Sequence, residues 1–480
     1  MFDKYRAFDH VYELSKFHRI QGSGGLMRAA LYVYEQLDLE DKVLLRYRYD
    51  GETRYGNMVV PMGWEALGGR ISVEGQVLQD FAQVPLTVVA HSPPGVAEGE
   101  VTESLEDCKE KILLTSEADA KRAYLRAMNA GALAVIYYDQ ALPSTATPYR
   151  SLFLKKDEMN YSLPALSVPR RLVPLLRGKR AAVEVRAKRG ETEMPVIFAR
   201  SSKAKDFLMT AHICHPYPGA NDNASGAGLM LELANSGAPA SFLWAPEHFG
   251  TMAFFSDHDA PYEYGINLDM VGENQKVTGS TLQISYTPLS QKSPYEELLK
   301  AVVREVSQGY DLKLDFADYS IGSDHAVLTQ NGVPASSFTN WPDRYYHSSE
   351  DFADKVSTDM LEMVGTGVLK FLNADVPVYL NDVWESKYKA YLLERFGRED
   401  EERLLAVRRK KYRQFLPIPQ LYMTPHNVDE FPNFGEALTA YSEYLNLAEQ
   451  LHEKDALRIA SKAYGVSQEL LEKAMELMPP

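Results

Sequence analysis

Ala211-His212-Ile213-Cys214-His215, closely followed by Gly219-Ala220-Asn221-Asp222-Asn223-Ala224-Ser225-Gly226, decides the fold of this chain. The apolar run Phe207–Ile213 reads as a buried strand, and Leu229, Met230, Leu231 and Leu233 after the glycine-bounded loop read as a buried helix. The same alternation recurs with predicted strands at Ser241–Glu247, Tyr264–Met270 and Pro334–Asn340, each followed by helix-like sequence. This is the pattern of an α/β protein whose mixed sheet is covered by helices on both faces, three layers in all. Each predicted strand also ends on a metal-binding residue type. His212 ends the first, Glu247 and His248 the second and Asp269 the third, while His347 follows the fourth across Trp341–Tyr346.

Ligands in open α/β sheets collect outside the carboxyl ends of the strands. One histidine at a strand end is more often a hydrogen-bonded structural residue than a ligand. His212, Asp222, Asp269 and His347 converging at one rim make that bland reading hard to sustain for the set. Zinc takes imidazole nitrogen and carboxylate oxygen, and two nearby ions need a shared carboxylate, which Asp222 can supply. A further carboxylate must accept a proton from water, and Glu247 is placed for that beside His248.

Working outward, residues 7–37 predict two helices around the turn Gln21–Gly25. From about residue 58, short strand-like runs broken by Gly and Pro predict a β-rich segment. Within it, Lys111–Leu114, Ala118–Ala130 and Ala132–Tyr138 read as strand, helix and strand. Beyond Pro377 helices are expected at Trp384–Phe396, Glu399–Leu416, Gly435–Glu453, Asp455–Tyr464 and Ser467–Met478. The expected division is therefore 1–60 and 191–375 for the metal-binding half, 61–190 for an insert and 376–480 for a C-terminal helical region.

The chain has 480 residues and a formal net charge of −15, which argues against loose attachment to nucleic acid or anionic membrane. Two cysteines, Cys108 and Cys214, build no disulfide framework, and the N-terminus lacks the basic start and apolar run of a secretory signal. A cytoplasmic protein without membrane spans is expected. Ser323, Asp324 and His325 are the residue types of a hydrolase triad, but they are adjacent in sequence and a turn rarely assembles one. Ala456–Met478 has the outline of a helix-turn-helix, yet its second helix carries few basic residues, which favours a structural or dimer-forming role.

Taken in order, His212 with Gly219–Gly226, Pro246-Glu247-His248, Asn267-Leu268-Asp269 and Tyr346–Asp351 resemble the co-catalytic di-zinc aminopeptidase and glutamate carboxypeptidase family. The resemblance covers residues 1–60 and 191–375, and 61–190 is similar to the protease-associated insert of some members. It implies a zinc-peptidase core and a zinc-dependent exopeptidase, in the first instance an aminopeptidase, hydrolysing a peptide or aminoacyl substrate with metal-activated water. Asp222 would bridge, His212 and Asp269 would hold one zinc, His248 and His347 the other. Glu247 would be the general base, Tyr346 would steady the tetrahedral intermediate, and Gly322–His325 would support the pocket.

Two departures from the family pattern are visible. His248 stands where a carboxylate is usual, and Cys214 stands where an aspartate usually orients the first histidine. Cys214 could bind metal itself, or His215 could be the true first ligand. One or two zinc ions per chain are therefore both open, as are a single-zinc amide deacylase or cyclase and a non-catalytic scaffold. Pairing of two copies is a further expectation.

Overall fold

The computed structural model describes residues 2–56, 58–374, 378–407 and 434–477. Its centre is an eight-stranded mixed sheet in the order Asp41–Tyr49, Thr192–Arg200, Ser241–Ala245, Phe207–His212, Tyr264–Leu268, Ala335–Trp341, Thr281–Ser285, Leu314–Ala317. Ser241–Ala245, Phe207–His212, Tyr264–Leu268 and Ala335–Trp341 run parallel side by side, so their carboxyl ends share one rim. All residues of the first three are buried, as expected for parallel strands covered on both faces. Helices Lys4–Leu14, Gly226–Asn235 and Thr358–Asn373 pack together against the sheet, and Gly24–Gln36 packs on its antiparallel edge.

Sequence reading missed four strands of this sheet. Asp41–Tyr49 is half-exposed and alternates charged with apolar residues. Thr281–Ser285 and Leu314–Ala317 are only 5 and 4 residues long and place polar side chains on one face. Thr192–Arg200 was hidden behind the basic stretch at Lys188–Gly190.

A seven-stranded sheet forms the insert, in the order Gln76–Asp80, Gly63–Val73, Arg180–Gly190, Gly95–Thr102, Ile112–Thr115, Ala134–Tyr137, Ala165–Ser167. Ile112–Thr115, the helix Ala120–Asn129 and the parallel strand Ala134–Tyr137 make the expected β-α-β unit. Strand alternation divides its side chains between two apolar clusters. Ile112, Leu114, Ala134 and Ile136 enter one, while Leu113, Val135 and Tyr137 enter the other.

The C-terminal helices Val378–Phe396, Arg398–Ala406, Phe434–Ala448, Glu453–Tyr464 and Gln468–Leu477 have their own core. The end of the expected helix Glu399–Leu416, beyond 407, lies outside the described residues, as does Met478. This region grips the central domain at two places. Tyr388 Oη donates to the Leu289 carbonyl (2.9 Å) and Ser290 N–H to Glu443 (2.9 Å), while Leu438 packs with Tyr319, Ile321 and Ala326. No helix among the described residues is long and apolar enough to cross a membrane.

Arg19, between the first two helices, is 1% exposed and ties them to the loop that follows Phe207–His212. Its guanidinium donates to the carbonyls of Ile213 (2.9 Å), Gly219 (2.9 Å), Pro218 and Phe17 (both 3.3 Å), and Leu14. Its own N–H and C=O pair with the backbone of His215. Arg19→Met keeps the bulk but leaves these buried carbonyls unpaired, so it should cost about 3 kcal/mol in denaturant unfolding. An unchanged midpoint would show that the loop is held by other means.

Candidate active site

Asp222 sits where the Gly219–Gly226 loop crosses the rim, and close backbone approach sets the loop's sequence. Gly219 has φ +53°, and a Cβ there would lie 2.5 Å from the Asp222 carbonyl and 2.8 Å from the His215 ring. A Cβ at Gly226 would lie 2.1 Å from the Leu268 carbonyl, so the helix can start this close to the neighbouring strand only with glycine there. Asn221 and Asp222 donate their N–H groups to the Asp351 carboxylate at 2.9 and 3.0 Å. The Asp222–Asn223 peptide bond is cis.

Around Asp222 the structure gathers two donor groups. His212, Asp222 and Asp269 form one, and His215, Asp222 and His347 the other; within each, the candidate ligand atoms lie within 4.8 Å of one another. His212 Nε2 is 3.3 Å from Asp222 Oδ1 and 3.2 Å from Asp269 Oδ1. His215 Nδ1 is 3.3 Å from Asp222 Oδ1, and His347 Nε2 is 3.3 Å from Asp222 Oδ2. Two atoms each about 2.0–2.1 Å from one tetrahedral zinc lie about 3.3 Å apart, so spacing and donor chemistry both fit that ion.

Burial alone would raise the Asp222 carboxyl, but His215, His212 and His347 reverse this and hold it well below the usual range. For His212, burial opposes charge, yet Asp269 and Glu247, with hydrogen bonds to Asp222 and Asp269, carry it well above the ordinary histidine value.

Orientation comes from the second ring nitrogen. His212 Nδ1 donates to the Cys214 carbonyl at 3.0 Å, which fixes the ring with Nε2 toward the carboxylates, the nitrogen a zinc ion would take in place of its proton. The carbonyl of Cys214 thus does what a side-chain carboxylate would do at that position. The Cys214 thiol has another task, accepting the N–H of Glu247 (3.1 Å) and the side-chain amide of Gln21 (3.3 Å).

His248, expected as a ligand, lies in neither donor group, and His215 stands with His347 instead. His248 is 1% exposed and its ring nitrogens make no hydrogen bond, with Nε2 3.4 Å from Glu247 Oε1. Burial, with His212 and His325 nearby, pushes it down to about 3 and keeps it neutral. Its backbone has φ +59°, and its N–H donates to Asp324 Oδ1 at 2.7 Å. Met270 (+61°) and His347 (+51°) share this uncommon conformation, so backbone strain gathers at the rim. Asp324 therefore anchors the Glu247-His248 turn, a task legible in the sequence only as a supporting role.

Glu247, Tyr346, His212, Asp222, Asp269 and His347 line one cavity of about 310 Å³. Burial, then Asp269, Asp324 and Asp222 against the pull of His212, raises the Glu247 carboxyl well above its ordinary range. Burial likewise raises the Tyr346 phenol, so its O–H stays a donor. The Tyr346 ring stacks on His347 with centroids 3.8 Å apart.

One residue at the site comes from the insert, and no sequence signal marked it. The Tyr149 ring stands edge-on to both His215 (5.4 Å, 62°) and His347 (5.1 Å, 68°). Its N–H donates to the His347 carbonyl at 2.6 Å, and Thr147 and Ser349 hydrogen-bond beside it.

Behind Asp222 lies a second buried acidic group. Asp343 accepts from Asn221 Nδ2 at 3.3 Å, and burial with the neighbouring Asp343 pushes Glu273 up to about 9. Glu273 is therefore protonated in the folded chain and ionised when unfolded at neutral pH. Its contribution to stability is whole below about pH 4.5 and is lost as pH rises toward 9. Glu273→Gln should gain stability over the parent between pH 5 and 9, by on the order of 1 kcal/mol or more. A difference that stays flat across thermal melts in that window would contradict the assignment.

Residues 196–372 match the family model of Peptidase family M28. Aminopeptidase YwaD of Bacillus subtilis (strain 168) is 27% identical over 296 residues, 54% of this chain and 61% of its own length. The chain thus spans about 61% of that curated relative. Among solved structures, a zinc aminopeptidase of Bacillus subtilis shares the fold with a TM-score of 0.55 and 20% identity, over 78% of this chain and 94% of its own. A Clostridium acetobutylicum structure, 15% identical, superposes with a TM-score of 0.58 over 98% of this chain and 94% of its own. The matched segment, residues 196–372, is the one that carries the strand ends and their converging histidines and carboxylates.

Proposed function

We propose that this chain is a zinc-dependent exopeptidase that acts as an aminopeptidase with two metal positions. The observation that carries the reading is the convergence of His212, His215 and His347 on the two oxygens of Asp222, with Asp269 against His212. Asp222 would bridge, His212 and Asp269 would hold one zinc, and His215 and His347 the other. Bound zinc supplies Lewis-acid polarisation of a carbonyl and acidifies water.

The chain's own residues supply the rest. Glu247 takes a proton from the attacking water on its carboxylate and returns it to the departing amine nitrogen. The Tyr346 O–H donates to the carbonyl oxygen as negative charge develops there. Asp351 and Asp324 fix the backbones of Asp222 and His248, so neither the bridge nor the base has to be ordered during reaction. The single-metal alternative drew on His248 in a carboxylate's place, and the second donor group no longer depends on that residue. A reducing compartment such as the cytoplasm suits the free, buried Cys108 and Cys214.

Glu247→Gln should lower kcat on an aminoacyl reporter by at least about 10³-fold, while zinc content by elemental analysis stays at the parent value. Turnover within a few-fold of the parent would remove Glu247 from the reaction. Zinc content also separates the two histidine assignments. His215→Ala should lose about one zinc per chain and His248→Ala none, whereas the reverse result would restore His248 as the ligand.

A further inference from the structure

The cavity beside Glu247 has an unusual wall for a site that takes an amino-acid side chain. Thr281–Ser285 and Ala335–Trp341 run antiparallel there, with Gln283 directly opposite Thr339. Alternation puts Gln283 and Ser285 of one strand, and Ser337 and Thr339 of the other, on the cavity face. The intervening Leu282, Ile284 and Phe338 are buried in the core on the opposite face. The polar character is thus confined to the face that meets the cavity.

A second stretch of the wall repeats the division. Asp318, Ser320, Gly322 and Ser323 line the cavity, while Tyr319 and Ile321 turn away to pack with Leu438 of the C-terminal helices. Apolar lining is limited to Met270, Ala317 and the rings of Trp341 and Tyr346.

The hydroxyls are also pre-oriented. Asn267 Nδ2 donates to both Ser323 Oγ (2.9 Å) and Ser337 Oγ (3.1 Å), and Ser337 N–H donates to Ser285 Oγ (2.8 Å). Each of these oxygens is engaged as an acceptor, so each O–H remains to donate to an occupant. Asn267 is itself fixed, its Oδ1 accepting from Thr210 at 2.8 Å.

Among the described residues no lysine or arginine lines the cavity, and Asp222, Glu247, Asp269 and Asp318 do. An acidic side chain has no partner there. An aliphatic one would cover several hydroxyls and an amide without replacing their hydrogen bonds with water.

Resting on the aminopeptidase reading above, we infer that the N-terminal residue released carries an uncharged, hydrogen-bonding side chain, an amide or a hydroxyl. Gln283 and Thr339 are then specificity residues, and Asn267 is a positioning residue that sets the serine hydroxyls.

The test is a panel of aminoacyl-7-amido-4-methylcoumarin reporters assayed on the zinc-loaded full chain. Glutamine, asparagine, serine or threonine should give the highest kcat/KM, at least about tenfold above leucine and phenylalanine. The highest value on leucine, phenylalanine or any charged residue overturns the inference while leaving the aminopeptidase reading intact. Hydrolysis of no reporter at all overturns both. Gln283→Leu combined with Thr339→Val should shift the leucine-to-glutamine ratio of kcat/KM toward leucine by about tenfold. Both reporters are read on one preparation, so that ratio does not depend on how much of the variant folds. An unchanged ratio also counts against the inference.

Discussion

A carboxylate whose two oxygens each face imidazole nitrogen at 3.3 Å, deep in a protein, is the constraint around which the rest of this molecule is arranged. Asp222 has carboxylates for close neighbours in Asp269 and Glu247, and among the described residues no lysine or arginine lines the cavity they share. Such a cluster is costly to bury unless positive charge is brought to it, and divalent cations supply that charge most compactly. The tight loop with Gly219 and Gly226, the anchoring of Asp222 by Asp351 and the strained backbones of His248, Met270 and His347 all serve that convergence.

Three parts of the chain that sequence places far apart meet at this point. The N-terminal segment reaches it through Arg19, which holds the loop carrying His215. The insert reaches it through Tyr149, which packs against both imidazoles of the His215–Asp222–His347 group. The C-terminal helices bear on the cavity wall through Leu438, which packs with Tyr319, Ile321 and Ala326. The insert and helical region are therefore structural components of the site as well as neighbours of it.

What the sequence made legible follows from physics it encodes locally. Phe207–His212 and Ser241–Ala245 are continuous apolar runs, so the central parallel strands and their ends could be read directly, and with them His212, Asp222, Glu247 and Asp269. Gly219 and Gly226 announced a tight crossing, and the loop between them carries the bridging candidate. Polar or half-exposed strands such as Thr281–Ser285 and Asp41–Tyr49 gave no such signal.

That His215 rather than His248 stands beside Asp222 and His347 was hidden for a different reason. Both lie just past a strand end, and only the turn that sends one ring toward Asp222 and the other toward the buried side of Glu247 distinguishes them. Cys214 shows the same limit. A side chain missing from a motif can be replaced by its own backbone carbonyl, and residue types alone do not reveal that. Tyr149 lies far from these residues in sequence, and no local pattern ties it to the site.

Anomalous diffraction at the zinc edge from zinc-loaded crystals tests the central claim most directly. Two peaks are expected, one on either side of Asp222, with His212 and Asp269 touching one and His215 and His347 the other. A single peak away from Asp222, or a second ion held by His248 with His215 free, would contradict the account.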